Sequence, residues 1–318
     1  MTDVHHARSL LEAGRIQDGL NLLAQGAKQD DPDALNALAH LALSGDFVRR
    51  DLPLSRDLFR RAASAGSVAG AAAFRAFVAN GTGGPCDWPA AVRLLAQDSS
   101  GDPSAERELR LTESMKLSES GEPLGTFTSE HISNSPDAIL FPSLFSDAEC
   151  DFLIEVAHPL LQPSTVVDPV TGKLTANPVR TSDAAAFSLA AESPAIHALC
   201  VRLAKASGTN VRQGEPLQVL RYLPGQEYRP HFDALGQAEN QRILTFLVYL
   251  NDGYDGGGTR FMKSALTVNG RRGDALLFRN ADDSGRPDPN SQHAGEPLKA
   301  GEKFIASRWI RQRALEIG

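Results

Sequence analysis

The spacing of apolar residues changes along this chain, from helical in its first part to strand-like in its last part. Up to about residue 115, Ala and Leu recur at the intervals of amphipathic helices. After Gly208, the runs LQVLRYL, RILTFLVYLND and EKFIASRWIR are β-branched or aromatic and end at turn-forming residues, as antiparallel strands do. A chain of 318 residues is long enough for two cores. The sequence therefore predicts an α+β protein with a helical part followed by a strand-rich part.

The helical part contains an internal repeat. Leu22, Leu58 and Leu94 recur every 36 residues, and Asp51 and Asp87 have the same spacing. Small residues in fixed phase let paired helices approach closely, so each unit is predicted to be a helix-turn-helix that buries its apolar face by stacking on its neighbours. These units resemble the Sel-one-like branch of tetratricopeptide-type repeats, which implies an α-solenoid with a protein-contact surface. An Ala-rich bundle with an accidental period is the alternative.

A polar segment rich in Ser, Gly and Pro, SESGEPLG, lies between the two parts. We place the domain boundary there, with a helical repeat domain over 1–120 and a second domain over 121–318. In the second domain, Ser146 and Glu149 have the spacing of a capping box, and a further amphipathic stretch ends at Gly208. Two helices followed by many strands predict a double-stranded β-helix, a jelly-roll sandwich with supporting helices.

Composition argues against several classes of function. The net charge of -7 disfavours a nucleic-acid partner. No apolar run is long enough to cross a bilayer, and the N-terminus lacks the pattern of a secretory signal, so we expect neither membrane insertion nor secretion. The spacing of Cys86, Cys150 and Cys200 favours reduced thiols, and with them a cytoplasmic location.

The residues that carry chemistry lie in the strand-rich part. His231 and Asp233 are separated by one residue, so on a strand both side chains can reach one metal ion. His293 can supply a third ligand from a neighbouring strand, and two His with one carboxylate is the ligand set of non-haem iron(II) oxygenases. Lys303 follows ten residues after His293 on an apolar strand. An unpaired ammonium there would be costly, so Lys303 needs an anionic partner.

These motifs resemble the prolyl 4-hydroxylase branch of the 2-oxoglutarate-dependent oxygenases over roughly residues 138–313. The HxD pair, the distant His and the following Lys occur in the family's order, with DGGGTRF and GDALLF between them. The resemblance implies iron(II), 2-oxoglutarate and dioxygen, with ascorbate as a candidate reductant. It implies these roles: metal ligands His231, Asp233 and His293; co-substrate contacts Lys303, Tyr222 and Thr245; peptide-groove residues Arg180, Ser182, Tyr228 and Trp309.

The implied function is hydroxylation of a C–H bond of a prolyl residue in a protein, with release of succinate and carbon dioxide. The repeats would recruit that protein or a partner. Two alternatives stay open: a hydroxylase of another side chain or of a small metabolite, and a non-catalytic repeat scaffold that uses the oxygenase fold for sensing. Gly258 and Gln292 depart from the family's pattern, and since neither position binds metal, they bear on substrate fit.

Overall fold

The computed structural model of the chain describes residues 2–167, 174–176 and 179–315. The described residues divide into two compact units. The first unit comprises residues up to 124 together with 188–199, and the second comprises 125–187 and 200–315. The break between the units after residue 124 lies close to the polar linker. The first unit is nevertheless discontinuous in sequence, because 188–199 belongs to it.

The first unit is built from helices joined by short loops. Its helices before the linker are α1 Val4–Glu12, α2 Ile16–Ala27, α3 Pro32–Ser44, α4 Leu52–Ser64, α5 Val68–Asn80, α6 Trp88–Asp98 and α7 Pro103–Ser114. Each helix packs on the next along the chain. This is the stacking of a helical solenoid, as predicted.

The ends of these helices repeat with the period of the sequence. Asp51 and Asp87 are the N-caps of α4 and α6, and each carboxylate accepts a backbone N–H from the first turn. Gly45 and Gly81 end α3 and α5 in the left-handed region, with φ of 81° and 76°. Caps and stops therefore recur at the same 36-residue interval as the leucines, which confirms the repeat prediction.

Small residues set the distance between helices inside the repeats. A Cβ at Gly70 on α5 would lie 2.7 Å from the Cβ of Ala62 on α4, so these helices touch through their backbones. The aromatic rings of Phe59 and Phe77 then meet edge to face at the centre of the core, with centroids 5.3 Å apart. The apolar side chains that share this core are Ala27, Leu35, Ala39, Leu58, Phe59, Ala62, Ala73 and Phe77.

The second unit is rich in short strands. They are β1 Glu130–Asn134, β2 Asp137–Phe141, β3 Gln162–Pro163, β4 Thr165–Val167, β5 Leu174–Ala176, β6 Asp183–Ala186, β7 Gln218–Tyr222, β8 Tyr228–His231, β9 Arg242–Tyr249, β10 Asp255–Gly256, β11 Thr259–Phe261, β12 Thr267–Val268, β13 Ala275–Arg279, β14 His293–Gly295, β15 Leu298–Ala300 and β16 Lys303–Arg311. Two further helices follow the linker, α8 Asp147–Ala157 and α9 Pro194–Ser207.

The strands form two main antiparallel sheets. The larger sheet has the order β1-β2-β13-β9-β16-β7-β6-β3, and the smaller has the order β12-β11-β14-β8. Side chains from both sheets meet in one buried cluster, including Phe278 and Ile305 from the larger sheet and Phe261 from the smaller. Two antiparallel sheets around one core is the predicted jelly-roll arrangement.

A buried ion pair holds α8 against the part of α9 that belongs to the strand-rich unit. Ser146 and Glu149 form the predicted capping box at the start of α8. Both oxygens of Glu149 also accept hydrogen bonds from the guanidinium of Arg202, at 2.6 and 2.7 Å. This paired geometry satisfies a buried carboxylate fully.

None of the helices among the described residues is both long enough and apolar enough to cross a membrane.

Candidate active site

The three predicted metal ligands converge at one end of the smaller sheet. His231 is the last residue of β8, and His293, the first of β14, lies directly opposite it in the antiparallel register. Asp233 follows just after β8 ends. One nitrogen of each His and one oxygen of Asp233 lie within 4.8 Å of one another. Among the described residues this is the one group of at least three His, Cys, Asp or Glu side chains with such spacing.

The backbone determines which nitrogen of each His faces the cluster. Nδ1 of His231 lies 2.9 Å from the carbonyl oxygen of Arg229, and Nδ1 of His293 lies 2.9 Å from that of Ser291. A carbonyl oxygen only accepts hydrogen bonds, so each Nδ1 carries the proton. In the neutral form of each ring, Nε2 then keeps its lone pair and lies toward Asp233, with Nε2–O distances of 3.5 Å for His231 and 3.6 Å for His293. Two unprotonated imidazole nitrogens and a carboxylate fit a divalent transition metal.

Burial supports the same protonation states. Desolvation lowers the pKa of His293 to about 4, so its ring is neutral at neutral pH. Burial alone would raise the pKa of Asp233, but the positive charge that His293 and His231 carry when protonated, and a hydrogen bond from Thr245, outweigh it and hold that pKa below its ordinary value. A bound cation would take the place of that positive charge. A neutral imidazole and an ionised carboxylate are the forms that bind metals.

Lys303 is a buried cation that lines one cavity together with the three predicted metal ligands. Its ammonium donates to the carbonyl oxygen of Gly257 at 2.6 Å. The rings of Tyr222, Tyr249 and Tyr254 surround it, with centroids 5.9, 5.3 and 5.8 Å from Nζ. Burial lowers the pKa of Lys303 to about 8. The ammonium thus has one neutral acceptor and three aromatic faces, and an anion in the cavity would complete its coordination.

The glycine turn before β11 makes room for Lys303. Gly257 has a φ of +68°, which favours glycine. A Cβ at this position would come within 3.2 Å of the Lys303 side chain. The DGGG segment therefore lets the backbone approach the ammonium closely enough to accept its hydrogen bond.

One cavity contains the metal-ligand cluster and Lys303 together. Its apolar wall is formed by Leu220, Leu247 and Ile305. Its other lining residues are Tyr222, Tyr228, His231, Asp233, Gly257, Thr259, His293, Gly295, Glu296, Lys303, Ser307 and Trp309. The lining therefore includes Tyr222, the predicted co-substrate contact, and two of the predicted groove residues, Tyr228 and Trp309.

Thr245, predicted to contact the co-substrate, is not part of the cavity wall. It is fully buried on β9 behind Asp233, and its hydroxyl donates to Asp233 Oδ2 at 2.7 Å. Thr259 is the threonine that lines the cavity, with Oγ1 3.2 Å from the hydroxyl of Tyr249. Its place at the start of a strand after the glycine turn was the sequence signal for it. The role assigned to Thr245 remains a prediction, and its hydrogen bonds indicate a different one.

The remaining groove residues cluster beside Tyr228. The Tyr228 ring stacks on His231 at 3.5 Å between centroids, and the guanidinium of Arg180 lies 5.7 Å from the Tyr228 centroid. Nε of Arg180 donates to Ser164 at 3.0 Å. Ser182 is fully buried, with its hydroxyl 3.5 Å from that of Ser164. Neither Arg180 nor Ser182 is among the residues that line the cavity.

Sequence reasoning missed the residue that supports Trp309. The guanidinium of Arg242 lies 3.9 Å from the centre of the Trp309 ring. Two nitrogens of Arg242 also donate to Glu215 at 2.6 and 2.8 Å, which orients the guanidinium plane. Nε1 of Trp309 is buried and has no hydrogen-bond partner among the described residues.

A family model and several known proteins are similar to this chain. The model of the 2OG-Fe(II) oxygenase superfamily matches residues 217–311, which contain the three clustered ligands and Lys303. "Prolyl 4-hydroxylase 1" of Arabidopsis thaliana is 37% identical over 210 residues, which are 60% of this chain and 74% of that protein. Prolyl 4-hydroxylase subunit alpha-1 of Rattus norvegicus is 34% identical, but the match spans only 36% of its length.

Two solved structures are similar to different parts of the chain. A viral collagen prolyl hydroxylase from Paramecium bursaria Chlorella virus-1, solved with 2OG, is 29% identical with a TM-score of 0.44. The match covers 55% of this chain and 95% of that one. A Sel1 repeat protein from Oxalobacter formigenes is 19% identical with a TM-score of 0.31, and the match covers 36% of this chain and 46% of that one.

Proposed function

The chain belongs to the prolyl 4-hydroxylases of the 2OG-Fe(II) oxygenase superfamily, and we propose that it hydroxylates a prolyl residue of a protein or peptide. Membership of this superfamily implies iron(II) and 2-oxoglutarate. The observation that carries the proposal is the presence in one cavity of three clustered ligands and a buried ammonium without a carboxylate partner among the described residues.

We assign His231, Asp233 and His293 as the ligands that would hold iron(II). Their two neutral imidazoles and one carboxylate leave further coordination positions open. Bound iron(II) supplies, with 2-oxoglutarate and dioxygen, the oxidising power that hydroxylates a C–H bond as 2-oxoglutarate leaves as succinate and carbon dioxide. The fixed Nδ1 protons hold the two rings in the orientation that presents Nε2.

We assign Lys303 as the residue that pairs with the distal carboxylate of 2-oxoglutarate. A charge-assisted hydrogen bond in a buried site is strong and directional. Tyr222 and Thr259 line the cavity near it and can add hydroxyl contacts. The apolar wall of Leu220, Leu247 and Ile305 excludes water from the bound keto-acid.

We propose that the aromatic wall receives the prolyl ring. Tyr228, stacked on His231, and Trp309, stacked under Arg242, present flat apolar faces beside the ligand cluster. Arg180, beside the Tyr228 ring, and Ser182, whose hydroxyl bonds with Tyr222, would support the groove.

The decisive experiment measures succinate formation and peptide hydroxylation together. Purified protein with anaerobically added iron(II) is assayed with proline-containing peptides, and hydroxyproline is identified by mass spectrometry. We expect turnover by the wild type, by a His158→Ala control with an exposed His, and not by His231→Ala. Succinate formation without any prolyl product would redirect the search to another side chain or a small metabolite. Absence of turnover in folded, metal-loaded wild type would overturn the enzyme assignment.

We further propose that the helical repeats recruit the protein substrate or a partner. We also propose that the enzyme works in the cytoplasm and that ascorbate acts as a supporting reductant. Stacked helical repeats provide extended surfaces for protein contacts. The three cysteines are free thiols, which suits a reducing compartment. Repeat-surface variants should raise KM for a protein substrate and leave KM for a short peptide unchanged. An unchanged KM for the protein substrate in these variants would contradict recruitment.

A further inference from the structure

We propose that Thr245 and Asn280 are positioning residues that orient Asp233 through a hydrogen-bond chain from Asn280 Nδ2 through Thr245 Oγ1 to Asp233 Oδ2. The proposal rests on the proposed function, because it gives both residues a task toward the carboxylate that would bind the metal. It also assigns a different role to Thr245 from the co-substrate contact that family resemblance implies.

The three side chains form two hydrogen bonds in series in the interior of the second unit. Asn280 Nδ2 is 2.7 Å from Thr245 Oγ1, which is 2.7 Å from Asp233 Oδ2. Thr245 and Asn280 are fully buried, and Asp233 is 4% exposed. Thr245 lies on β9 between β13 and β16, opposite Phe278 and Trp309. A hydroxyl on a central strand of the larger sheet has little freedom to move.

The direction of each hydrogen bond is dictated by chemistry. An ionised carboxylate only accepts, so the single hydroxyl hydrogen of Thr245 goes to Asp233. Thr245 Oγ1 must then accept from Asn280, and the amide of Asn280 must present its NH₂ group. The chain therefore has one consistent arrangement, in which two donors in series point at one carboxylate oxygen.

The backbone of Asn280 holds the start of this chain in place. Its N–H donates to Ile243 at 2.8 Å, and its carbonyl accepts from Asp288 at 2.8 Å. These bonds tie the position to the beginning of β9 and to the loop that leads to His293. The loop that leads to His293 is thereby bonded to Asn280, which belongs to the hydrogen-bond chain that orients Asp233.

The side-chain amide of Asn280 has only one of its two polar atoms in a hydrogen bond. Its Oδ1 is buried and has no hydrogen-bond partner among the described residues. An unsatisfied buried oxygen is destabilising, so an apolar residue of similar size would suit folding at least as well. The side chain is therefore best explained by the hydrogen bond that its Nδ2 donates to Thr245.

The consequence for Asp233 is a distinction between its two oxygens. The terminal torsion of an aspartate is broad, so an unsupported carboxylate would turn between the two imidazoles. The Thr245 hydrogen bond engages Oδ2, while Oδ1 lies 3.5 Å from His231 Nε2. Partners of this kind orient ligating groups, and their removal typically weakens metal binding by about 10–100-fold.

The test measures the dissociation constant of Mn²⁺, a redox-stable probe, in the full chain without 2-oxoglutarate. We expect Thr245→Val, which keeps the shape but removes the hydroxyl, to weaken binding at least tenfold or so. Thr245→Ser restores the hydroxyl and should bind within about twofold of wild type. Asn280→Leu should weaken binding less than Thr245→Val, without lowering the melting temperature. The double variant should be no weaker than Thr245→Val, because Asn280 acts through Thr245.

Several outcomes would overturn the inference. If Thr245→Val binds Mn²⁺ like wild type and only raises KM for 2-oxoglutarate, Thr245 acts as a co-substrate contact instead. If Thr245→Ser is as weak as Thr245→Val, the hydroxyl is not the cause. If Asn280→Leu leaves binding unchanged, Asn280 has no part in it. Failure of wild type to bind Mn²⁺, or binding by His231→Ala as tight as wild type, would instead overturn the metal-ligand assignment.

Discussion

Two single residues in this cavity show that burial shifts the pKa of an acid upward and that of a base downward. Asp233 and Lys303 are both 4% exposed. Asp233 has two imidazoles and a hydroxyl beside it, and its pKa falls although burial opposes its charge. Lys303 has no charged partner among the described residues to offset its burial, and its pKa falls because burial disfavours its charged form. The first group is prepared to bind a cation, and the second is prepared to receive an anion.

Lys303 should make co-substrate affinity depend on pH. With a pKa of about 8, its ammonium is present below that pH and lost above it. The apparent KM for 2-oxoglutarate should be constant below about pH 7.5 and rise above pH 8, by up to about tenfold per pH unit. Initial rates of succinate formation between pH 6.5 and 9.5 would measure this.

The matched control for this pH dependence is Lys303→Arg. A guanidinium keeps its charge over the whole range, so any KM it retains should not vary with pH. A wild-type KM that stays flat to pH 9.5 would contradict the pairing of Lys303 with the keto-acid. So would a pH dependence that survives in Lys303→Arg.

At the level of elements, the register of the two short strands β8 and β14 brings the proposed ligands together. His231 and His293 are directly opposite each other. A slip of one residue would turn one imidazole to the other face of the sheet. The site therefore depends on strand pairing as much as on the identities of its side chains.

The repeat helices depend on their caps in a measurable way. The carboxylate of Asp87 accepts the N–H of Ala90 at 2.9 Å at the start of α6. Asp87→Ala leaves that N–H without its acceptor and should lower the free energy of unfolding of the helical unit by about 1 kcal/mol. Urea denaturation followed by circular dichroism would measure the change.

Two variants control for the cap. Asp87→Asn keeps a side-chain oxygen at the N-cap and should unfold close to wild type. Asp46→Ala removes an exposed carboxylate in the loop before α4 and should change stability by no more than about 0.5 kcal/mol. Equal destabilisation by Asp87→Ala and Asp46→Ala would mean that net charge, and not capping, is responsible.

At the level of the whole molecule, the first unit includes segment 188–199, which follows the linker in sequence. Leu189 and Ala190 pack against the core around Phe59 and Phe77. The amide of Asn80 donates to the carbonyl of Leu189 at 2.9 Å. The start of segment 188–199 therefore has apolar and polar partners among residues that precede the linker.

This arrangement predicts the result of deleting residues 1–124. If the sequence-based boundary at 120/121 is right, the second domain should fold without the first. Exposure of Leu189, Ala190 and their neighbours leads us to expect a truncated protein that melts at a lower temperature than the full chain and binds a hydrophobic dye. Thermal melting of both proteins, with 2-oxoglutarate turnover as the second readout, tests this. Equal melting temperature and turnover would support the sequence-based boundary.

The sequence by itself determined the local features: the 36-residue repeat that includes Asp51 and Asp87, the capping box at Ser146, and the residue types of the proposed ligands His231, Asp233 and His293. These follow from spacing and side-chain chemistry, which act over a few residues. Only the tertiary structure decided which threonine faces the cavity, which arginine supports Trp309, and that Asn280 stands behind Asp233. Such contacts join residues 12 to 67 positions apart, and they depend on strand order and register, which local spacing does not encode. The same reason explains why segment 188–199 belongs to a unit that the sequence pattern ends near residue 120.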